Sequence, residues 1–403
     1  MGEIELQRNF KKICLWLLPW FPVLQMYYIG KIPLGFIVYV PMLLALLFGN
    51  RKLKVDPLLL LLFLALLFVE LLQMFLPYID ATVTWHNMIM QTVYLLLLIG
   101  ARNYVSLEEL IKPYTVVCMI FIAGLFYQVL QLYVLGERIT GPITLFPSLL
   151  SDKNIYLGSA LKRPMSFFSE PQAFATYIAV FNIIALERKR FILAALATVS
   201  VLLSTSTEGL ALVGVTWALY IVFSKTSLLT KIVLITAIVV LAGWYTSAGW
   251  FEVGYDKALS TKYEENLRLV NGFNMLGSLK GEQLWLGVGT GVNDFYTSYT
   301  ALRGLDLREG MFGSSAAGEM VNYGLIVGLL YWLFLLRSLV FRYRYAVIFS
   351  IVLIIIPFAQ SCFFNASFVT LFVMYYLFID YCRKKEVRSL KTGAASPLIS
   401  PSR

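Results

Sequence analysis

The sequence predicts an all-α polytopic integral membrane protein, with about twelve transmembrane helices and two long loops on the outer side. Three observations carry this. Apolar residues make up 59% of the chain and charged residues only 14%, where a soluble domain carries about 25% charged. Mean hydropathy is +0.75, and runs of about 20 apolar residues recur along the whole length. The runs are continuous and do not alternate, so internally hydrogen-bonded helices fit the bilayer better than barrel strands.

Taken in order, the predicted spans are 13–30, 32–49, 57–77, 86–101, 114–135, 171–187, 191–205, 209–224, 230–250, 319–341, 346–362 and 366–382. Several are short and imply tilt. The seventh and eighth are joined only by "STSTEG", which predicts a tight hairpin. The whole of 1–403 reads as one transmembrane domain. Segments 136–170 and 251–318 are the long loops, and 383–403 is a polar tail with no apolar periodicity, read as disordered. "EENLRLVNGFNML" inside the larger loop reads as an amphipathic helix.

Orientation follows from lysine and arginine. With the amino terminus in the cytoplasm, 22 of the 33 basic residues fall in short cytoplasmic segments, including "RKLK" at 51–54 and "RKR" at 188–190. Both termini are then cytoplasmic, and the long loops lie on the outer side. The net charge of +10 is a topology signal and argues against nucleic acid. The amino terminus lacks a small-residue cleavage site and reads as a first helix. Cys14, Cys118, Cys362 and Cys382 lie in or beside apolar runs, so neither a disulfide framework nor a zinc cluster is expected.

Chemistry, if present, faces outward. "RPMSFFSEPQAFATY" at 163–177 sets an arginine and a glutamate against the sixth span. Glu170 and Pro171 can be a helix start and Arg163 an interfacial anchor. Equally, a guanidinium there can bind phosphate and a carboxylate can take a proton from a sugar hydroxyl. Arg268 lies on the polar face of the amphipathic helix. "GVGTG" at 287–291 follows no βαβ strand and is no dinucleotide fingerprint. Gly287, Gly289 and Gly291 form either a flexible turn or a close backbone approach to phosphate or sugar. Arg303 and Arg308 follow, either solvated or on a phosphate. Glu208 and Glu319 start helices, and small hydroxyl residues fill the hairpin. Glu70 is the one carboxylate well inside a span, and His86 is a lone interfacial histidine without clustered metal ligands. No outward Asp-x-Asp, Gly-x-Ser-x-Gly, His-Glu-x-x-His or Walker pattern occurs.

These pieces together resemble the Wzy-type O-antigen and capsular repeat-unit polymerases, within the wider O-antigen ligase/polymerase superfamily. The resemblance rests on "RPMSFFSEPQAFATY", "LLSTSTEGLALVGV", Arg268 followed by "LWLGVGTGVNDF", and "AAGEMVNYGLIVGLLYWLFLL", in that order over residues 160 to 341. The earlier spans match only as generic apolar helices. Thr207 and Glu208 stand where many relatives carry an arginine, and the large loop lacks the histidine of the ligase branch. Both departures point towards polymerase.

The resemblance implies glycosyl transfer between undecaprenyl-pyrophosphate-linked glycans, a growing donor chain and a single repeat-unit acceptor, on the periplasmic face. Arg163 and Arg268 would stabilise the departing pyrophosphate and Glu170 would orient or deprotonate the acceptor hydroxyl. Arg303, Arg308 and the three glycines would contribute to substrate binding. The scheme requires no metal and no cofactor. The implied partners are membrane lipid and the flippase and chain-length regulator of the same pathway, with no nucleic acid. The alternatives are an O-antigen ligase acting on lipid A core, a polytopic transporter or flippase, and a non-catalytic scaffold.

Overall fold

The computed structural model describes residues 2–48, 53–77, 79–137, 139, 141–150, 163–224, scattered positions between 227 and 247, 267–290, 293–304, 314–360 and 365–392. The architecture is that of an all-α membrane protein. Among the described residues, three helices are long and apolar enough to cross a bilayer: α5 (Ala81–Tyr104), α6 (Leu107–Tyr133) and α13 (Ser315–Ser338). Shorter apolar helices stand beside them: α3 (Tyr39–Phe48), α4 (Pro57–Gln73), α8 (Phe191–Leu203), α9 (Thr207–Phe223) and α14 (Arg344–Ala359). α1 (Gly2–Leu17), α2 (Phe21–Leu24), α7 (Pro171–Glu187) and α15 (Ala366–Thr392) complete the bundle. Three short helices, α10 (Leu267–Ser278), α11 (Glu282–Leu286) and α12 (Asp294–Arg303), fill the described part of the larger loop.

Helix starts follow local chemistry. Asp56 caps α4 by accepting from the Leu58 and Leu59 amides, with Pro57 at the position that needs no donor. Asp80 does the same for α5. Ser106 and Glu109 form a reciprocal capping box on α6.

The amino-terminal region departs from the sequence expectation. A single span over 13–30 is not what forms. The helix starts at Gly2 and is interrupted after Leu17, where Pro19 and Pro22 remove amide donors. Residues 28–33 then turn back as a short antiparallel hairpin, Tyr28 opposite Pro33, with Gly30 at φ +62°. At the other end, α15 does not stop at 382 but continues to Thr392. Ion pairs hold it: Lys385 Nζ to Glu187 at 2.5 Å, and Arg342 Nη2 to Glu386 at 2.5 Å. The rest of the tail, most of the ninth predicted span and residues 251–266 lie outside the described residues.

The bundle centre is α7, buried along nearly its whole length, with α8 and α9 returning against it. Close approach is allowed by small residues. A Cβ at Gly209 would sit 2.6 Å from the Ala175 Cβ and 2.8 Å from Val201 Cγ1. The starts of α7 and α9 therefore lie side by side, and the end of α8 reaches the same level. α14 also ends there, where Ala359 and Gln360 meet Gln172, Thr176 and Glu208.

Candidate functional site

The segment 163–170 is pinned to α6 before it reaches α7. Gln128 Oε1 accepts from the Met165 and Ser166 amides at 2.8 and 2.7 Å, and its Nε2 donates to the Gly141 carbonyl at 3.0 Å. Ser166 Oγ donates to the Phe121 carbonyl at 2.6 Å. Ser166 takes φ +57°, a left-handed conformation uncommon for a non-glycine residue. Gly124 admits this, since a Cβ there would meet Phe167 at 2.7 Å and Ser166 Oγ at 2.8 Å.

So held, Arg163 reaches the α8–α9 turn. Its Nε donates to Thr205 Oγ1 at 3.0 Å and its Nη2 to the Thr205 carbonyl at 2.5 Å. Thr205 itself sits at φ +54°. A β-branched residue in that region is strained by roughly 1–3 kcal/mol, and such strain persists only where neighbours over-determine it. The two guanidinium bonds are such neighbours. Ser206 then caps α9 by accepting from the Gly209 amide at 3.2 Å.

Glu208, in the first turn of α9, points into the bundle and is 8% exposed. Gln172 Nε2 donates to its Oε2. Thr176 Oγ1 and Gln360 Nε2 donate to its Oε1 at 3.2 and 3.3 Å. Gln172 and Thr176 are one turn apart on the same face of α7, and Gln360 ends α14. The first turn of α9 adds its positive dipole end to the carboxylate's surroundings. The Gln360 carbonyl accepts from the Ser315 amide at 3.1 Å, and Ser315 Oγ donates to Glu319 Oε1 at 2.8 Å. One chain of polar contacts thus runs from Glu208 through Gln360 to the start of α13. α10 packs on that start, with Gly272 fitted against Ala317.

The predicted site residues separate into two groups. Arg163 lies at this cluster. Glu170 occupies the N-cap position of α7 with extended backbone, but its carboxylate makes no capping bond to the helix. Arg268 stands one turn before Gly272 in α10, and its side chain lies outside the described residues. Arg308 and Gly291 also lie outside them.

Arg303 and the remaining glycines go elsewhere. Arg303 ends α12 with its guanidinium 5.4 Å from the centre of the Tyr299 ring, and it is exposed. Burial pushes the Tyr299 hydroxyl pKa up, opposed by Arg303. Tyr296 is pushed the same way by burial, reinforced by the Glu319 carboxylate. Gly287 and Gly289 both have φ +75°, and their amides are taken by protein carbonyls. Gly287 N–H donates to Gln283 at 2.9 Å, Val288 N–H to Val321 at 2.9 Å and Gly289 N–H to Asn322 at 3.0 Å. The glycine run is a close backbone approach, as one reading of the sequence has it, but the backbone it approaches is that of α13. There α13 breaks at Gly324, φ +81° and ψ 169°, which frees the carbonyls that the run satisfies. A Cβ at Gly287 would lie 2.3 Å from the Asn322 oxygen, and one at Gly324 only 1.9 Å from the Trp285 oxygen. Gln73 Nε2, from α4, also donates to the Asn322 carbonyl, at 2.8 Å.

Glu70 and Gln91 meet close to this break. Gln91 Nε2 donates to Glu70 Oε1 at 3.0 Å and to Tyr323 Oη at 3.1 Å. Glu70 is thus hydrogen-bonded to another helix. His86 is exposed on α5, and no group of three potential metal ligands occurs among the described residues. Cys14, Cys118 and Cys382 are buried and unpaired, while Cys362 lies outside the described residues.

Sequence reasoning passed over Gln128, Gln172, Thr176 and Gln360. The signal was present. Each is a polar side chain set in an otherwise apolar helix, and Gln172 and Thr176 follow the Glu-Pro pair at helical spacing. No family model, curated protein or solved structure matches the chain.

Proposed function

We propose that this chain polymerises lipid-linked oligosaccharide repeat units at the outer face of a bacterial inner membrane. It would transfer a growing glycan from undecaprenyl pyrophosphate to the terminal sugar hydroxyl of one further lipid-linked unit. The observation that carries the reading is the pair of bonds from Arg163 to Thr205. Arg163 and Thr205, 42 residues apart, belong to two segments on which the family resemblance rests, and the guanidinium joins those segments three residues before the buried Glu208. The basic residues of the turn at 188–190 and of α15 gather at the opposite end of the same helices. By the charge rule that end is cytoplasmic and the Arg163 end is outer.

In this reading the reacting bond, tethered by its lipid, lies at the membrane edge near Arg163. Bond formation joins the acceptor oxygen to the donor's anomeric carbon, and the anomeric bond to pyrophosphate breaks. The pyrophosphate leaves with the electron pair, and the acceptor proton passes to a carboxylate. Arg163, with Arg268, would stabilise the leaving charge. Glu170 and Glu208 are the two carboxylates available to the acceptor hydroxyl. Holding both lipid-linked substrates in one orientation would supply much of the rate.

The test is surface polysaccharide from a strain lacking this gene, separated by length and complemented with wild type, Arg163→Ala, Arg268→Ala or Glu170→Ala at matched membrane levels. Core carrying a single repeat unit in the deletion, with no ladder restored by the arginine variants, is the expected result. Loss of all repeats with long lipid-linked chains accumulating would make the chain a ligase. A normal ladder in a deletion strain without a redundant enzyme would return it to the transporters.

A further inference from the structure

A cavity lies at the end of the bundle opposite Arg163. It has a volume of about 340 Å³ and is walled by α1, the segment before α4, the α5–α6 turn and α15. That volume falls in the usual range for small-molecule sites.

Its lining is mainly charged and polar, with a few apolar residues. Lys11, Lys54, Arg102, Arg383 and Lys384 line it, against Glu108, Glu109 and Asp380. Two of these charges are cancelled locally. Lys11 Nζ pairs with Glu109 Oε1 at 2.6 Å, and Arg383 Nη1 lies 3.8 Å from Asp380 Oδ1. Lys54, Arg102 and Lys384 then face Glu108, which leaves the cavity with a surplus of positive charge. Val105, Leu107 and Leu377 add apolar lining.

The walls are fixed before any ligand arrives. Asn103 clamps the backbone of Lys54 from both sides. Its Oδ1 accepts from the Lys54 amide at 2.7 Å, and its Nδ2 donates to the Lys54 carbonyl at 3.1 Å. The Ser106–Glu109 capping box sets the α5–α6 turn, and Lys11 ties α1 to that same Glu109. The Arg102 guanidinium lies 4.3 Å from the centre of the Tyr376 ring, which orients it. A preorganised cationic pocket with some apolar lining matches a phosphate that carries a lipid. Just beyond Lys11, α1 leaves Ile13 and Trp16 about half exposed, a surface suited to an acyl chain.

We propose that this cavity binds the phosphate headgroup of an anionic phospholipid from the leaflet on the basic side, and so joins α1, α5, α6 and α15. The site is independent of the glycosyl-transfer reading.

The test uses the full chain, purified in detergent and examined by native mass spectrometry with phosphatidylglycerol or phosphatidylcholine. Inorganic phosphate alone serves as a second probe. Wild type should retain phosphatidylglycerol over phosphatidylcholine. The double variant Lys54→Glu, Lys384→Glu changes exposed side chains only and should lose that retention at least about tenfold. Arg190→Glu, a charge reversal at the same end but outside the cavity, should keep it. Thermal melting checks that each variant is folded. Equal retention by the double variant, or no preference for phosphatidylglycerol in wild type, overturns the proposal. Binding of inorganic phosphate without a preference among lipids overturns the lipid as its source.

Discussion

The two ends of α7 bury carboxylates in opposite ways. At the basic end, Glu187 is met by Lys385 and the nearby Glu386 by Arg342, each at 2.5 Å, with Tyr343 Oη donating to Glu386 at 3.0 Å. At the other end, the partners described for Glu208 are two amides and a hydroxyl. Cationic partners neutralise a carboxylate and make it a tie between helices. Amide and hydroxyl donors orient a carboxylate by hydrogen bonds. The first arrangement suits anchoring, and it carries α15 out to Thr392. The second suits chemistry on a substrate that brings its own protons.

The comparison breaks most sharply at Glu208. Glu208→Gln keeps the volume but exchanges a charged acceptor for an amide. If Glu208 serves the acceptor hydroxyl, the polysaccharide ladder should fall by about a hundredfold or more at unchanged membrane level. A full ladder from a normally expressed variant would reduce Glu208 to a tie like Glu187.

Next in size is the docking of α11 on α13. Gly324→Ala places a Cβ against the Trp285 carbonyl and forces a side chain onto φ +81°. The backbone term alone costs roughly 1–3 kcal/mol, and the clash with rigid backbone adds to it. Purified Gly324→Ala should melt well below wild type. An unchanged melting temperature would show that the glycine run does not grip the break in α13. Lys385→Met should cost less, about 1 kcal/mol, because Lys385 is half exposed even though Glu187 is buried. Membrane abundance and thermal melting would read it. A loss comparable to that of Gly324→Ala would mean that the basic end is as rigid as the outer one.

The all-α membrane class is legible because bilayer physics writes it into composition and run length. The α8–α9 hairpin is legible too, since six residues between two apolar runs leave no other geometry. The start of α7 follows from Pro171. The amino-terminal break was harder to read, because Pro19 and Pro22 lie inside an apolar run that hydropathy alone treats as continuous. The site was half legible. Arg163 and Glu170 stand out as charges beside hydrocarbon. Glu208 looked like a helix cap because its role depends on Gln172, Thr176 and Gln360, and the last comes from a helix about 150 residues away. The glycine run alone suggests a ligand cradle or a turn, because its partner, the break at Gly324, carries no proline to announce it. A break made by glycine and repaired by a distant loop is a tertiary feature, and no local pattern records it.

Thr205 sharpens the comparison with the smallest change. The residue is held at φ +54° and bonded twice by Arg163, through its hydroxyl and its carbonyl. Thr205→Gly removes the strain, since glycine accepts that conformation freely, and it also removes the hydroxyl bond. The two effects oppose each other, so stability should stay within about 1 kcal/mol of wild type. Arg163 would lose its bond to the Thr205 hydroxyl and swing more widely. If the guanidinium must be fixed to meet a departing pyrophosphate, polymer output should fall about tenfold while thermal melting hardly moves. If the bonds serve the fold alone, output should follow stability and remain near wild type. A variant that is no less stable yet markedly less active would place the strain at Thr205 in the service of the reaction, as no such change at Lys385 could.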